Sequence, residues 1–390
     1  MKLKNAIGLA AILAIAFILR PPVAAVGPLL PELRESLQLT ALQTGLLTSL
    51  PVLCFGAGAF ASPILVKRLG LDNSMTLLLA LIAVGVALRV WFDFATLLAS
   101  SVVIGLAIAV ANVIMPTLVR ERYPNRVHVV TGTYTTLLAS SASIAAAVSV
   151  PLSTQLGGWR GSLVIWAVPA LLALVLWFFA FRTPVTAHVD APHLQREASA
   201  LVWRSRVTWG LMVYFGLQSL GFYAMLSWMP TMLISRQYDA VEAGNYLAYA
   251  AVIGVPFGFA LSGLYRRVKR LGWLAVAASA VTAAGFVVFI FQPRQALLAC
   301  TLLGLGQAST FPISLALIST KAATAGQTTL LSSISQGFGY LLAAVGTLLF
   351  GDLGESLGWV FALWFLVALT VAQSLAALVA GGRTRIPANT

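Results

Sequence analysis

Charge is what this chain has least of. Of its 390 residues only 9% are charged while 59% are hydrophobic, against about 25% charged in an ordinary soluble domain. A soluble core could not bury that much apolar surface with so little polar surface outside it. Cysteine is nearly absent as well. Cys54 and Cys300 are the whole complement and both lie in apolar runs, which excludes a disulfide framework and a thiolate metal cluster. The three histidines, His128, His188 and His193, have no metal-ligand spacing with cysteines or carboxylates, so no metal or other cofactor is expected. No glycine-rich loop ends in Gly-Lys-Ser/Thr, which argues against direct ATP drive. All eleven Asp and Glu residues, from Glu32 to Glu355, map to loops or to the ends of apolar runs. No acid–base cluster is left to catalyse a reaction, and an enzyme is not expected.

What is present is a series of long apolar runs. Twelve are recognisable, near 6–33, 41–65, 73–92, 96–119, 128–152, 160–182, 206–233, 242–265, 272–292, 295–318, 326–350 and 357–381, most near or above the roughly 20 residues a bilayer crossing needs. The first run follows Lys2 and Lys4 but reads as a retained span rather than a cleaved signal peptide: it is too long, Arg20-Pro21-Pro22 interrupts it, and further spans follow at once. The net charge of +13 is topology rather than a nucleic-acid footprint. With the N-terminus inside, eighteen of the 24 Lys and Arg residues fall in cytoplasmic segments and four, Arg34, Arg160, Arg236 and Arg294, fall outside. That asymmetry is the positive-inside pattern and predicts a multi-pass protein of the cytoplasmic (inner) membrane with both termini in the cytoplasm.

The chain also repeats itself. Val66-Lys67-Arg68-Leu69-Gly70 returns as Val268-Lys269-Arg270-Leu271-Gly272, Gly158-Trp159 as Gly358-Trp359, and Pro31 as Pro230, separated by 202, 200 and 199 positions. Each match is weak alone; three at nearly one offset define two parallel six-helix halves. The expected organisation is an N-terminal six-helix bundle over 1–182, a cytoplasmic linker over 183–205 and a C-terminal six-helix bundle over 206–390. Parallel six-helix halves are the architecture of major facilitator transporters, which bind substrate between the halves near the membrane midplane.

Two charges remain inside the runs. Arg20 lies about fourteen residues into its span, roughly mid-depth at about 1.5 Å per residue. It cannot be deprotonated, and even lenient insertion scales charge it about 2.5–3.5 kcal/mol. With no carboxylate at depth, either water, backbone and neutral side chains solvate it, or a ligand supplies the negative charge. A structural alternative is an arginine that snorkels or bonds carbonyls at the Pro21-Pro22 break. Arg89 is expected near the outer end of its span, in an i, i+4 pair with Asp93, snorkelling first and gating second. The neutral candidates for lining a cavity are Asn112, Gln218, Tyr223, Tyr249, Gln307, Gln336 and Tyr340, of which the amides are costliest to bury. The repeat offset sets Arg20 against the Gln218 region of the other half. Trp228 reads as an interfacial anchor.

Arg20-Pro21 followed by Gly27-Pro28-Leu29-Leu30-Pro31, Leu46-Leu47-Thr48-Ser49-Leu50-Pro51, Ala87-Leu88-Arg89, Met115-Pro116, Tyr214-Phe215-Gly216-Leu217, Trp228-Met229-Pro230 and Gln336-Gly337-Phe338-Gly339-Tyr340 together resemble the cyanate transporter and 2-nitroimidazole transporter branch of the major facilitator superfamily. The resemblance covers essentially the whole chain. It implies an all-α membrane protein of twelve transmembrane helices in two pseudo-symmetric bundles, working as a monomer by alternating access. The implied cargo is a small polar or anionic solute such as a cyanate-like monoanion; the alternatives are export of nitroimidazole-like or other small drugs, and a non-transporting ligand sensor on the same scaffold. The chain departs from the wider superfamily in the loop after the second helix, where Pro63 and Lys67 replace the usual Gly and Asp while Arg68 and Gly70 remain. It also lacks the paired arginines of helices two and eight by which nitrate carriers hold their anion.

A reporter fused to Thr390 tests the orientation: green fluorescent protein should fluoresce there and alkaline phosphatase should be inactive, and the reverse would invert the topology.

Overall fold

The structure, a computed structural model, describes residues 2–91, 93–181, 199–264, 271–382 and 384–387. Most of the expected linker, with His188 and His193, lies outside the described residues, as do the second basic turn at 265–270 and Arg383. A bilayer interior offers no hydrogen-bond partners, so each crossing must close its own backbone bonds; the described residues form helices and no strand. Eleven helical stretches among them are long and apolar enough to cross a membrane, and the second expected span contributes a shorter apolar helix, Leu50–Ala59.

Several expected spans are broken. The first is divided into α1 (Lys2–Ile18), α2 (Pro21–Ala24), a 3-10 turn (Gly27–Leu29) and α3 (Leu30–Ser36). The second, α4 (Ala41–Ala59), opens on a capping box between Thr40 and Gln43 and bends at residues 60–61 into α5 (Ser62–Leu88). The basic stretch Val66–Leu69, expected as a loop, is helical instead. The chain turns at Gly70, whose φ of 78° is a left-handed value that glycine adopts without steric cost. Next come α6 (Phe94–Arg122) and α7 (Val127–Gln155), and the sixth span is split into α8 (Trp159–Val164) and α9 (Ala167–Ala180). The rest of the chain is α10 (Arg206–Ile234), α11 (Ala240–Leu264), α12 (Leu271–Phe291), α13 (Ala296–Lys321), α14 (Ala325–Leu357) and α15 (Trp359–Gly381).

The chain forms two compact units, Met1–Leu118 with Leu137–Ala191, and Val119–Thr136 with Pro192–Thr390. In the first, α9 packs against α1 and α5, and the Trp177 indole donates to the Asp72 carbonyl at 3.3 Å. In the second, α10 lies along α14, and α12 along α13 and α15. Helices gain little from hydrophobic association in lipid, so small residues that permit close backbone contact carry the packing. Gly216 and Gly339 do this between α10 and α14: a Cβ on Gly339 would come within 3.2 Å of the Gly216 Cα and press into the Phe215 ring. Trp228, expected at the lipid interface, instead donates to the Thr347 carbonyl at 3.1 Å and stacks near Trp359, tying α10 to α14.

Gly339→Ala should therefore overpack the α10–α14 contact and cost about 1–3 kcal/mol in thermal unfolding. Gly27→Ala, with nothing within 4 Å of its added Cβ, should melt like wild type.

Candidate functional site

The first unit is built around the break at Arg20. Pro21 and Pro22 carry no N–H, so the carbonyls four residues earlier lose their helical donors and α1 cannot continue. The chain restarts with Arg20 as the N-cap of α2, its carbonyl accepting from Val23 N at 3.1 Å and Ala24 N at 3.0 Å. Its side chain is half-buried and carries the guanidinium over the face of Phe55 from α4, 5.5 Å from the ring centroid. A cation–π contact of this kind is worth about 0.5–2 kcal/mol.

Arg89 behaves differently from the sequence expectation. It does not snorkel and does not pair with Asp93. It is 1% exposed, among the largest fully buried side chains of the protein, and its Nη1 donates to the Pro22 carbonyl at 2.6 Å. That acceptor is available because the backbone tightens after α2: Val26 N bonds Val23 O at 3.3 Å rather than the Pro22 carbonyl. The Asp93 carboxylate is engaged elsewhere. It accepts from Thr96 N and Oγ1 at 3.0 and 3.1 Å, which caps α6 and holds its carboxyl below the ordinary value. The carbonyl-bonding role considered for Arg20 thus falls, at Pro22, to Arg89.

The contacts around Arg89 close a ring. Arg160 Nε donates to the Val90 carbonyl at 2.9 Å and stacks on Trp159. Glu32 of α3 accepts from Trp159 N at 2.7 Å and from Ser153 Oγ, and Trp159 Nε1 reaches Ser36 Oγ at 3.1 Å. The far end of the broken first span is therefore pinned from α7, α8 and the end of α5. Glu32, Arg160 and Trp159 were not singled out from sequence, since each partner lies far along the chain.

Arg89 Nε and Nη2 are buried with no acceptor among the described residues. Burying a guanidinium costs several kcal/mol, and an apolar side chain of similar volume is often as stable or more so; one charge-assisted bond returns only about 1.5–3 kcal/mol. Stability alone does not account for an arginine here. The internal repeat sharpens the point. Two hundred residues on from Arg89 stands Phe289, buried in an apolar cluster, and the counterpart of Arg20-Pro21-Pro22 lies in α10, which is one unbroken helix through Ser219-Leu220-Gly221. The first half departs from its own repeat at these two arginines and at the break they flank.

The other candidates divide. Asn112 is buried in α6, 5% exposed. Gln218 is buried and turned back on its own helix, Nε2 donating to Phe215 O at 3.1 Å and Ser219 Oγ at 2.6 Å. Gln336 is likewise buried, donating to Ser332 Oγ at 2.7 Å. Tyr340 is buried edge-on against Phe215 and lies 6.4 Å from half-buried Tyr223. Gln307 of α13 is half-buried beside Gly221 of α10, its Oε1 without a partner. Tyr249 stands apart, its hydroxyl 3.0 Å from Thr301 Oγ1. The structure thus brings Tyr223 and Tyr340 together and sets Gln307 against α10. Among the described residues, no group of three His, Cys, Asp or Glu side chains has metal-site geometry.

Arg89→Met keeps the length and loses the donors. It should unfold within about 1 kcal/mol of wild type, because the relief from charge burial offsets the lost bond. A loss of about 3 kcal/mol or more would make Arg89 a structural strut.

The chain matches the family model described as Major Facilitator Superfamily over residues 12–344. The 2-nitroimidazole transporter of Escherichia coli (strain K12) is 32% identical over 381 residues, covering 97% of this chain and 96% of the relative. The cyanate transport protein CynX of the same organism is 30% identical over 358 residues, covering 90% and 91%. Among solved structures, the major facilitator transporter FucP in its outward conformation superposes with a TM-score of 0.79 at 19% identity, over 97% of this chain and 100% of that one. A transporter fold across the full length, a matching family model and relatives that are transporters rather than enzymes lead to one conclusion: the chain belongs to the Major Facilitator Superfamily.

Proposed function

We propose that this protein moves a small monoanion, cyanate-like in size and charge, across the cytoplasmic membrane by alternating access, with Arg20 as the residue that recognises the charge and Arg89 as the residue that positions it. The observation that carries this reading is the broken first span. It presents a guanidinium at mid-depth, and a second guanidinium is spent on holding the break open. Neither charge has a counterpart in the repeat. An anion in a low-dielectric site gains far more from a guanidinium than it would in water, and the scarcity of carboxylates in the spans leaves few internal competitors. The named activity of CynX supports the same class of cargo. In this reading the protein works as a monomer, as the family resemblance implies, with both termini in the cytoplasm, as the charge pattern implies.

A second reading follows the other relative: export of a nitroaromatic whose nitro oxygens accept from Arg20.

The test is a thermal-shift screen of small anions and nitroimidazoles, followed by counterflow in proteoliposomes, on wild type, Arg20→Ala and Arg20→Lys. Anion binding should disappear in Arg20→Ala with the fold intact, and Arg20→Lys should lose about tenfold because an ammonium cannot present a planar fork. Equal affinity in all three proteins would remove Arg20 from the site; ligand binding without counterflow would favour a sensor.

A further inference from the structure

The tail of the chain folds back on the second unit. Ile386 is buried, 1% exposed, and its N–H bonds the Lys321 carbonyl at 2.9 Å. Lys321 Nζ donates to the Gly382 carbonyl and to the Thr384 carbonyl, and Gln327 Nε2 donates to the Pro387 carbonyl at 2.7 Å. This strap fixes Arg385 beside the turn between α13 and α14. The same turn is gripped by Arg120 at the end of α6, which donates to the Ala322 and Ala323 carbonyls and, at 2.9 Å, to Thr328 Oγ1.

Between these elements lies a cavity of about 630 Å³ lined by Arg120, Asn125, Arg126, His128, Thr320 and Arg385, together with neighbouring residues; among the described residues no Asp or Glu lines it. All of its lining belongs to the second compact unit. The charges around it repel. Arg385 acts unfavourably on both Arg120 and Lys321, while the exposed Glu121 acts favourably on Arg120. Like charges a few ångströms apart cost free energy, yet the tail docks there. His128 is half-buried with a buried Nδ1 that has no partner. The positive-inside rule explains why cations are numerous on this face; it does not explain why three guanidiniums converge on one cavity whose described lining holds no carboxylate.

We propose that this cavity is a binding site for a phosphate oxyanion. Arg126 and Arg385 would supply the accessible forks, Arg120 a fixed charge at the base, and His128 a further donor. Arginine forks match phosphate geometry, and a multiply charged anion turns the mutual repulsion into attraction. The volume exceeds inorganic phosphate and suits a phosphate ester. It could be the headgroup of an anionic phospholipid in the leaflet the charge pattern assigns to the cytoplasm, or a soluble phosphate.

Thermal unfolding of the full-length, delipidated protein tests the site. One arm titrates pyrophosphate in neutral detergent against chloride at equal ionic strength. The other compares nanodiscs of phosphatidylglycerol and phosphatidylcholine. Each uses wild type, Arg126→Gln/Arg385→Gln, and a control with two exposed cations neutralised elsewhere, Lys67→Gln/Arg68→Gln. Stabilisation by phosphatidylglycerol alone, weakened at least about tenfold in the Arg126/Arg385 variant and kept in the control, identifies a lipid headgroup. The same pattern with pyrophosphate identifies a soluble phosphate. No stabilisation in either arm, an unchanged response in the Arg126/Arg385 variant, or equal loss in the control overturns the proposal.

Discussion

The break in the first span centres on one hydrogen bond, from the buried Arg89 guanidinium to the Pro22 carbonyl. Two prolines break the first span, and a break inside a membrane leaves backbone acceptors that water cannot reach. One of them receives a buried guanidinium whose remaining donors find no acceptor among the described residues. That arrangement is expensive for a fold and reasonable for a site. It holds Arg20 at the start of α2, over Phe55, where the unbroken helix of the second half carries only Ser219, Leu220 and Gly221. The pseudo-symmetry of the two halves makes the departure visible, because the repeat shows what the same scaffold contains when it is not asked to hold charge.

The opposite face of the chain follows a similar rule with a different purpose. Arg120, Lys321 and Gln327 spend their donors on backbone carbonyls of a turn and of the terminal strap. The fold puts these donors to use as caps for carbonyls left over at helix ends.

Much of this was legible in the sequence, and what was not has a common physical cause. The helical membrane architecture follows from apolar runs and their length; the break at Arg20 follows from two adjacent prolines, a purely local signal. Arg89 was misread because a residue at the end of a span looks the same whether it reaches outward to water or inward to a carbonyl 67 positions earlier. Lys67 and Arg68 looked like a loop because they are charged, yet the helix runs on to Gly70. Gln218 and Gln336 were expected to line a cavity on grounds of burial cost; both are buried, and each donates its amide N–H to a group of its own helix. Trp228 carries the chemistry of an interfacial anchor, but Gly351 leaves room for its ring on α14. For Arg89 and Trp228 the partner was set by packing between distant segments, which periodicity does not encode.

The central claim is that Arg89 acts on the substrate through the break that sets Arg20, and a double-mutant cycle on ligand affinity addresses it most directly. Binding of the best anion from the screen would be measured for wild type, Arg20→Lys, Arg89→Met and the double variant. If the two residues work as one unit, the double variant should lose little more than the worse single variant, a coupling of at least about 1 kcal/mol. Losses that simply add would show two independent residues and would contradict the account.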